Sequence, residues 1–215
     1  MNYRTKLQSI VSRDLPPPEQ LNGLGQIRDQ RVTTDLHDNL SDVEIAEMTK
    51  DLRLAAVLVP LVEHADEPSI LLTRRADHLE KHSGQVAFPG GKVEDSDENP
   101  IATALREAEE EIGLSPDYVE IAGVLDTYQT GTGFLILPVV GFVRPGFTLT
   151  PDTNEVADIF EVPAHIALTE ASYKTDQGEW KGRMWNFYSM DYQGYNIWGA
   201  TAGMLMHMSR RIAEC

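Results

Sequence analysis

The sequence predicts a mixed α/β domain, and three features carry that prediction. Apolar runs of strand length recur at residues 54–62, 70–73, 119–127 and 134–143. Between the second and third of these lies an amphipathic helix that opens at Asn99-Pro100 and stops at Gly113. A second helical pattern, at about 201–213, closes the chain. Short aliphatic and β-branched runs alternating with helical periodicity and turn formers are the pattern of an α/β fold.

Taken in order, residues 1–50 form a polar N-terminal extension interrupted by Pro16-Pro17-Pro18. Short helices are expected at 3–12 and 42–50, joined by a loop. This extension either wraps the domain of residues 51–215 or serves a homodimer, and the sequence leaves both open. The runs 54–62 and 70–73, split by a polar turn, predict a hairpin. Phe88-Pro89-Gly90-Gly91 reads as a tight turn after a strand, where paired glycines let backbone come close to a ligand. Residues 155–161 suit a strand that leads into a helix near 163–168. Met204, Leu205 and Met208 on the tail helix are core packing. Tyr128 and Phe134 flank the glycine loop Gly131-Thr132-Gly133, which reads as a plain connection.

Composition narrows the function classes. A formal net charge of −16 is poor for a long nucleic-acid partner, which needs an extended basic surface. It does not exclude a small diphosphate, because a bound cation can dominate the local field. Apolar content of 41% and charged content of 24% suit a water-exposed globular domain. No apolar run has the length of a membrane span, and the start MNYRTKLQSI lacks a signal-peptide core. The single cysteine is Cys215, so no intrachain disulfide is expected and a cytoplasmic setting is inferred. Basic residues gather just before the amphipathic helix, at Arg74, Arg75, Lys81, His82 and Lys92.

That helix carries the chemistry. Asn99 suits the N-cap, Pro100 the first helical position and Gly113 the C-cap. At about 100° per residue, Glu107 and Glu111 stack one turn apart with Glu110 beside them, while Glu109 points away. Ile101, Leu105, Ala108 and Ile112 are expected on the opposite, buried side. Acidic runs are often only solvated helix faces. Here the preceding glycine turn adds a backbone approach, and converging carboxylates call for a divalent cation with oxygen ligands, Mg2+ or Mn2+. Glu107 and Glu111 are the expected metal ligands. Glu110 is either a third ligand or the acceptor of a water proton, and Arg106, four residues earlier, can hold it.

These residues resemble the box of the Nudix hydrolase family: glycine, five residues, glutamate, seven residues, then Arg-Glu-apolar-x-Glu-Glu-x-Gly-apolar. Arg106-Glu107-Ala108-Glu109-Glu110-Glu111-Ile112-Gly113-Leu114 fills every fixed position of the second half. The loop before it is one residue longer. The expected glutamate falls on Asp97 counted from Gly91, and on Glu98 counted back from Arg106. The resemblance implies a Nudix-type α/β/α sandwich with a mixed β-sheet, a metal contact from the Gly91 carbonyl, and a catalytic acid returned from a later loop at Glu155.

A second set of residues resembles the coenzyme A pyrophosphatase branch of that family. It comprises Leu71-Leu72-Thr73-Arg74-Arg75-Ala76, Leu79, Lys81, His82, Gly84-Gln85, Phe88-Pro89-Gly90-Gly91, and the later Ile197-Trp198-Gly199-Ala200-Thr201-Ala202. Where that branch often has arginine, this chain has Glu80. The implied reaction is metal-dependent hydrolysis of coenzyme A or acyl-CoA to adenosine 3′,5′-bisphosphate and (acyl-)4′-phosphopantetheine. Arg74, Arg75, Lys81 and His82 are then substrate contacts. Hydrolysis of ADP-ribose or another nucleoside diphosphate, hydrolysis of a nucleoside triphosphate, and non-catalytic nucleotide binding by a regulator are the alternatives.

Overall fold

The structure is a computed structural model that describes residues 2–16, 32–34, 52–180 and 182–215. The helix expected at 42–50 lies outside the described residues. Strand β2 (Arg53–Val62) pairs in parallel with β8 (Phe134–Val143) along its whole length. Both are aliphatic on both faces, as central strands covered on two sides must be. On the far side of β8, β6 (Val119–Val124) and β7 (Thr127–Gln129) run antiparallel to it. β1 (Val32–Thr34) adds to β7 in parallel.

On the other side of β2 the sheet divides. The expected hairpin forms, but β3 (Ser69–Arg75) pairs with β2 only through Leu61↔Ile70 and Val62↔Ser69. Beyond that, β3 pairs with β4 (Val86–Ala87), while β2 pairs with β5 (Gly90–Lys92). β9 (Val156–Pro163) closes the edge of β3. Gly90 and Gly91 therefore sit inside the fork between β2 and β3. The sheet is mixed, with helices on both faces.

Strand alternation assigns the faces. Val57, Val59 and Leu61 join Ile70, Leu72 and Phe142 in one core cluster. Helix α1 (Tyr3–Ile10), through Leu7 and Ile10, and helix α4 (Gly199–Ala213), through Met204, Leu205, Met208 and Ile212, cover that cluster. Ala56, Leu58, Val62, Leu71 and Leu137 form the other, covered by helix α2 (Pro100–Ile112) through Ala104, Ala108 and Ile112. Helix α1 thus packs on the sheet, with Arg4 tied to Glu63 at 2.8 Å. The short α3 (Ala164–Ala167) follows β9.

Two differences from the sequence reading have physical causes. A separate antiparallel sheet, β10 (Lys174–Trp180), β11 (Arg183–Tyr192) and β12 (Tyr195–Trp198), was not anticipated. Its first strand reads Lys-Thr-Asp-Gln-Gly-Glu and offers no apolar run, but β11 carries Met184, Trp185, Phe187, Tyr188 and Met190, and Gln193-Gly194 turns it into β12, a hairpin signal the sequence does contain. The buried stripe of α2 is also rotated. Thr103, Ala104, Ala108, Glu111 and Ile112 are buried, while Ile101 and Leu105 are only half-buried at its margin. Glu111 lies within the stripe, because the fork beneath it offers glycine backbone and not side chains.

Candidate active site

Local signals fix the ends of α2. The Asn99 side chain accepts from the amides of Ile101 (2.9 Å) and Ala102 (3.1 Å), and Gly113 takes the left-handed conformation at φ 70°. These 13 residues hold a graded set of carboxylates. Glu111 is 6% exposed, Glu107 is half-buried, and Glu110 and Glu109 face solvent.

The glycine fork receives the two inner carboxylates. The Gly90 amide donates to Glu111 Oε2 at 3.1 Å. A β-carbon on Gly91 would stand 2.4 Å from the Glu107 carboxyl carbon, so only glycine lets that carboxylate reach the strand. Burial pushes the Glu111 carboxyl up to about 7; the charges of Glu107 and Glu155 add to this, against the Gly90 bond and the Arg75 charge. Burial also raises Glu107, against the pull of Arg106, with Glu110 and Glu155 raising it further. Glu155, exposed at the end of the loop before β9, is thus close enough in charge to act on both.

Arg106 organises the outer edge. Its Nη1 donates to Glu110 Oε2, four residues on, and to the adjacent Glu107 Oε1, both at 2.9 Å. It also makes a bond pair that the sequence left open. Nε and Nη2 grip the Asp97 carboxylate at 2.9 and 3.1 Å. Asp97, with its side chain 4% exposed, further accepts from Thr103 Oγ1 (2.8 Å) and the Glu94 amide (2.9 Å). The Arg106 guanidinium holds its carboxyl well below the usual range. Glu98 is exposed. Counting from Gly91 rather than from Arg106 was the signal that pointed to Asp97.

The basic residues separate. Consecutive strand residues point to opposite faces. Arg75 shares the α2 face, with Nη1 3.9 Å from Glu111 Oε1 and with a buried Nε lacking a hydrogen-bond partner among the described residues. Arg74 projects to the other face and bonds Asp77 Oδ1 at 2.6 Å. Lys81 and His82 are exposed on the loop between β3 and β4, and His82 Nδ1 lies 2.8 Å from Gln85 Oε1. Two clefts also occur beside α4, one lined by residues such as Met204 and His207 and the other by Ile10, Leu15 and Arg211. Neither includes these carboxylates.

Among the described residues, no three acidic, histidine or cysteine side chains are already gathered as a ligand set. Glu107 turns to Arg106 and Glu111 to Gly90 instead. The donor chemistry nevertheless fits a hard divalent cation. It is all oxygen and strongly anionic, with a buried carboxylate whose charge is otherwise poorly balanced. Gly91→Ala tests the glycine contact. Its methyl should displace Glu107 and lower turnover at least about tenfold, since misplacing a reacting group by about 1 Å can cost that much and more. Unchanged turnover in a folded Gly91→Ala protein would show that the carboxylate can move without consequence.

Comparison with known proteins places this arrangement in a family. The NUDIX domain family matches residues 52–183. An uncharacterized Nudix hydrolase NudL of Enterobacter sp. (strain 638) is 42% identical over 182 residues, covering 82% of this chain and 94% of that protein. Its counterpart in Cronobacter sakazakii (strain ATCC BAA-894) is 42% identical over 171 residues, with coverages of 80% and 88%. Among solved structures, a MutT/nudix family protein from Enterococcus faecalis is 14% identical at TM-score 0.47, covering 100% of this chain and 76% of that one. The NUDIX domain of Shewanella oneidensis NrtR complexed with ADP ribose is 21% identical at TM-score 0.43, covering 60% and 82%. The family match spans more than half of the chain and the NudL relatives align over most of their length, so this protein belongs to the Nudix hydrolase family and is a diphosphatase.

Proposed function

We propose that the chain hydrolyses a nucleoside diphosphate linkage with the help of Mg2+ or Mn2+, and that coenzyme A or acyl-CoA is its substrate. The observation that carries the reaction is the buried Glu111 carboxylate beside Glu107 over the glycine fork, with its proton affinity raised by burial and by the neighbouring carboxylates. Glu107, Glu111 and the Gly91 carbonyl would hold the metal, with Glu110 at its outer edge. Such a cation, when bound, neutralises the diphosphate oxygens and lowers the pKa of water. The protein's own groups do the rest. Arg106 bonds Glu107 and Glu110 and fixes their direction. Glu110 or Glu155 takes the proton from the attacking water. Arg75, on the same face and with an unpartnered Nε, holds a phosphate oxygen beside the carboxylates. Lys81 and His82 contact outlying phosphate from their loop.

The substrate assignment rests on the residues of 71–91 that resemble the coenzyme A branch. Coenzyme A carries a 3′-phosphate, and each charge-assisted contact to it contributes about 1.5–3 kcal/mol, roughly a tenfold to hundredfold preference. Glu80 places an exposed acid among the basic residues of that loop and weakens the preference. Initial rates and product masses on a panel with and without Mg2+ test this. Coenzyme A should be cleaved faster than dephospho-coenzyme A, and Glu80→Arg should widen the difference. Equal rates on the two would count against recognition of the 3′-phosphate. Faster cleavage of ADP-ribose than of either would replace coenzyme A as the substrate.

A further inference from the structure

We propose that Arg74 is a positioning residue, which clamps the loop 76–85 from behind and does not itself touch substrate. This rests on the reading that the loop carries substrate contacts at Lys81 and His82. Arg74 lies on the face of β3 opposite to Arg75 and the carboxylates. Its Nη1 bonds Asp77 Oδ1 at 2.6 Å, at the start of the loop. The Asp77 carbonyl in turn accepts from Ser83 Oγ at 2.7 Å, at the loop's far end. Gly84, at φ +67°, lies so close that a β-carbon there would be 3.3 Å from Asp77 Oδ1. The two ends of the loop thus meet at Asp77, whose side chain stays exposed, and the Arg75 amide closes its base by donating to the Gln85 carbonyl at 2.9 Å.

Behind Arg74 stands a second anchor. Its cross-strand partner on β9 is Asp158, which accepts from the Tyr195 hydroxyl. The Tyr195 ring stacks on Phe160 with centroids 3.7 Å apart and planes 2° apart. These contacts lock β12 of the small sheet to β9. Thr201 Oγ1, at the start of α4, adds a buried bond of 2.9 Å to the Val86 carbonyl, just past the loop. A guanidinium bonded to one carboxylate and placed opposite another has its charge answered by the protein, which suits it to fix a loop and not to recruit phosphate.

The test is steady-state kinetics on coenzyme A with Mg2+ for Arg74→Ala, Arg74→Lys, Asp77→Ala, the Arg74→Ala/Asp77→Ala double variant and Lys81→Ala, with melting temperatures alongside. Arg74→Ala and Asp77→Ala should each raise KM about tenfold with kcat within about twofold, and the double variant should be no worse than either. Arg74→Lys should recover part of the loss. An Asp77→Ala enzyme with normal KM beside a weakened Arg74→Ala would show direct substrate contact by Arg74 and overturn the clamp. So would single effects that multiply in the double variant. If Lys81→Ala raises KM and the Arg74 and Asp77 variants change only melting temperature, the clamp alone fails. If none of the variants alters KM, the loop's part in substrate binding fails with it.

Discussion

Glu111→Gln is expected to cut Mg2+-dependent hydrolysis by at least about a hundredfold while making the metal-free protein more stable, not less. The two effects share one cause. The carboxylate is buried against α2 and the glycine fork, with like charges at Glu107 and Glu155 and a pKa pushed up to about 7. A metal ligand in that position loses its charge in glutamine, and loss of one charged ligand removes affinity for the cation and with it the stabilisation of the reacting phosphate. The amide keeps an acceptor for the Gly90 N–H, so the local packing survives.

The pH dependence has a definite sign. A carboxyl whose folded pKa lies above its unfolded value, near 4.3, favours folding below that value and loses this contribution as pH rises to about 7. The loss is on the order of 3 kcal/mol. Melting temperatures of metal-free wild type should therefore fall over this window relative to Glu111→Gln, and Mg2+ should raise the wild-type value alone. A folded Glu111→Gln enzyme with normal turnover would sink the metal-ligand assignment, and identical pH profiles would sink the burial argument.

Asp97→Asn is expected to be destabilising, costing about 1.5–3 kcal/mol, the scale for losing a charge-assisted hydrogen-bonded partner. Asp97 is half-buried with its side chain turned inward, and it accepts two bonds from Arg106, one from Thr103 and one from the Glu94 amide. Because its folded pKa is depressed, its contribution is present above the unfolded value near 3.9 and is lost as pH falls below it. Acid unfolding of wild type should accordingly be steeper than that of Asp97→Asn. The same variant frees Arg106 to drift from Glu107 and Glu110, so turnover should fall as well. Arg106→Ala should lower kcat more than it raises KM, because Arg106 holds carboxylates and not substrate. Chemical denaturation and kinetics on both proteins check this. A rise in KM alone for Arg106→Ala would move Arg106 into the substrate pocket, and a neutral Asp97→Asn would show that the pair is only a surface contact.

Much of this site follows from local sequence rules. Asn99, Pro100 and Gly113 set the helix ends, and helical spacing sets Arg106 within reach of Glu110 and stacks Glu107 near Glu111. These are short-range facts, decided by a few residues and 3.6-residue periodicity. The strands at 54–62 and 134–143 were equally legible, because strands buried on both faces read as unbroken apolar runs. Length and composition suited a water-exposed globular domain, and the alternation of strand-length runs with helical periodicity made it α/β.

Long-range pairing decided the rest. Which acid answers Arg106 depended on the path of the loop between Gly91 and Asn99, and two acids in succession fit the count equally well. The burial of Glu111 depended on β2 and β3 parting to admit glycine backbone beneath α2. Arg74 and Arg75 are neighbours in sequence and look interchangeable there. Pleating sends one toward the carboxylates and the other toward Asp77 and the small sheet, whose first strand, Lys174–Trp180, gives no apolar run to read. Sequence fixes what a residue can do and the angle at which its own element presents it. Where distant elements part or pair is set by the packing of the whole sheet, and here that packing separates the arginine beside the carboxylates from the arginine behind the loop.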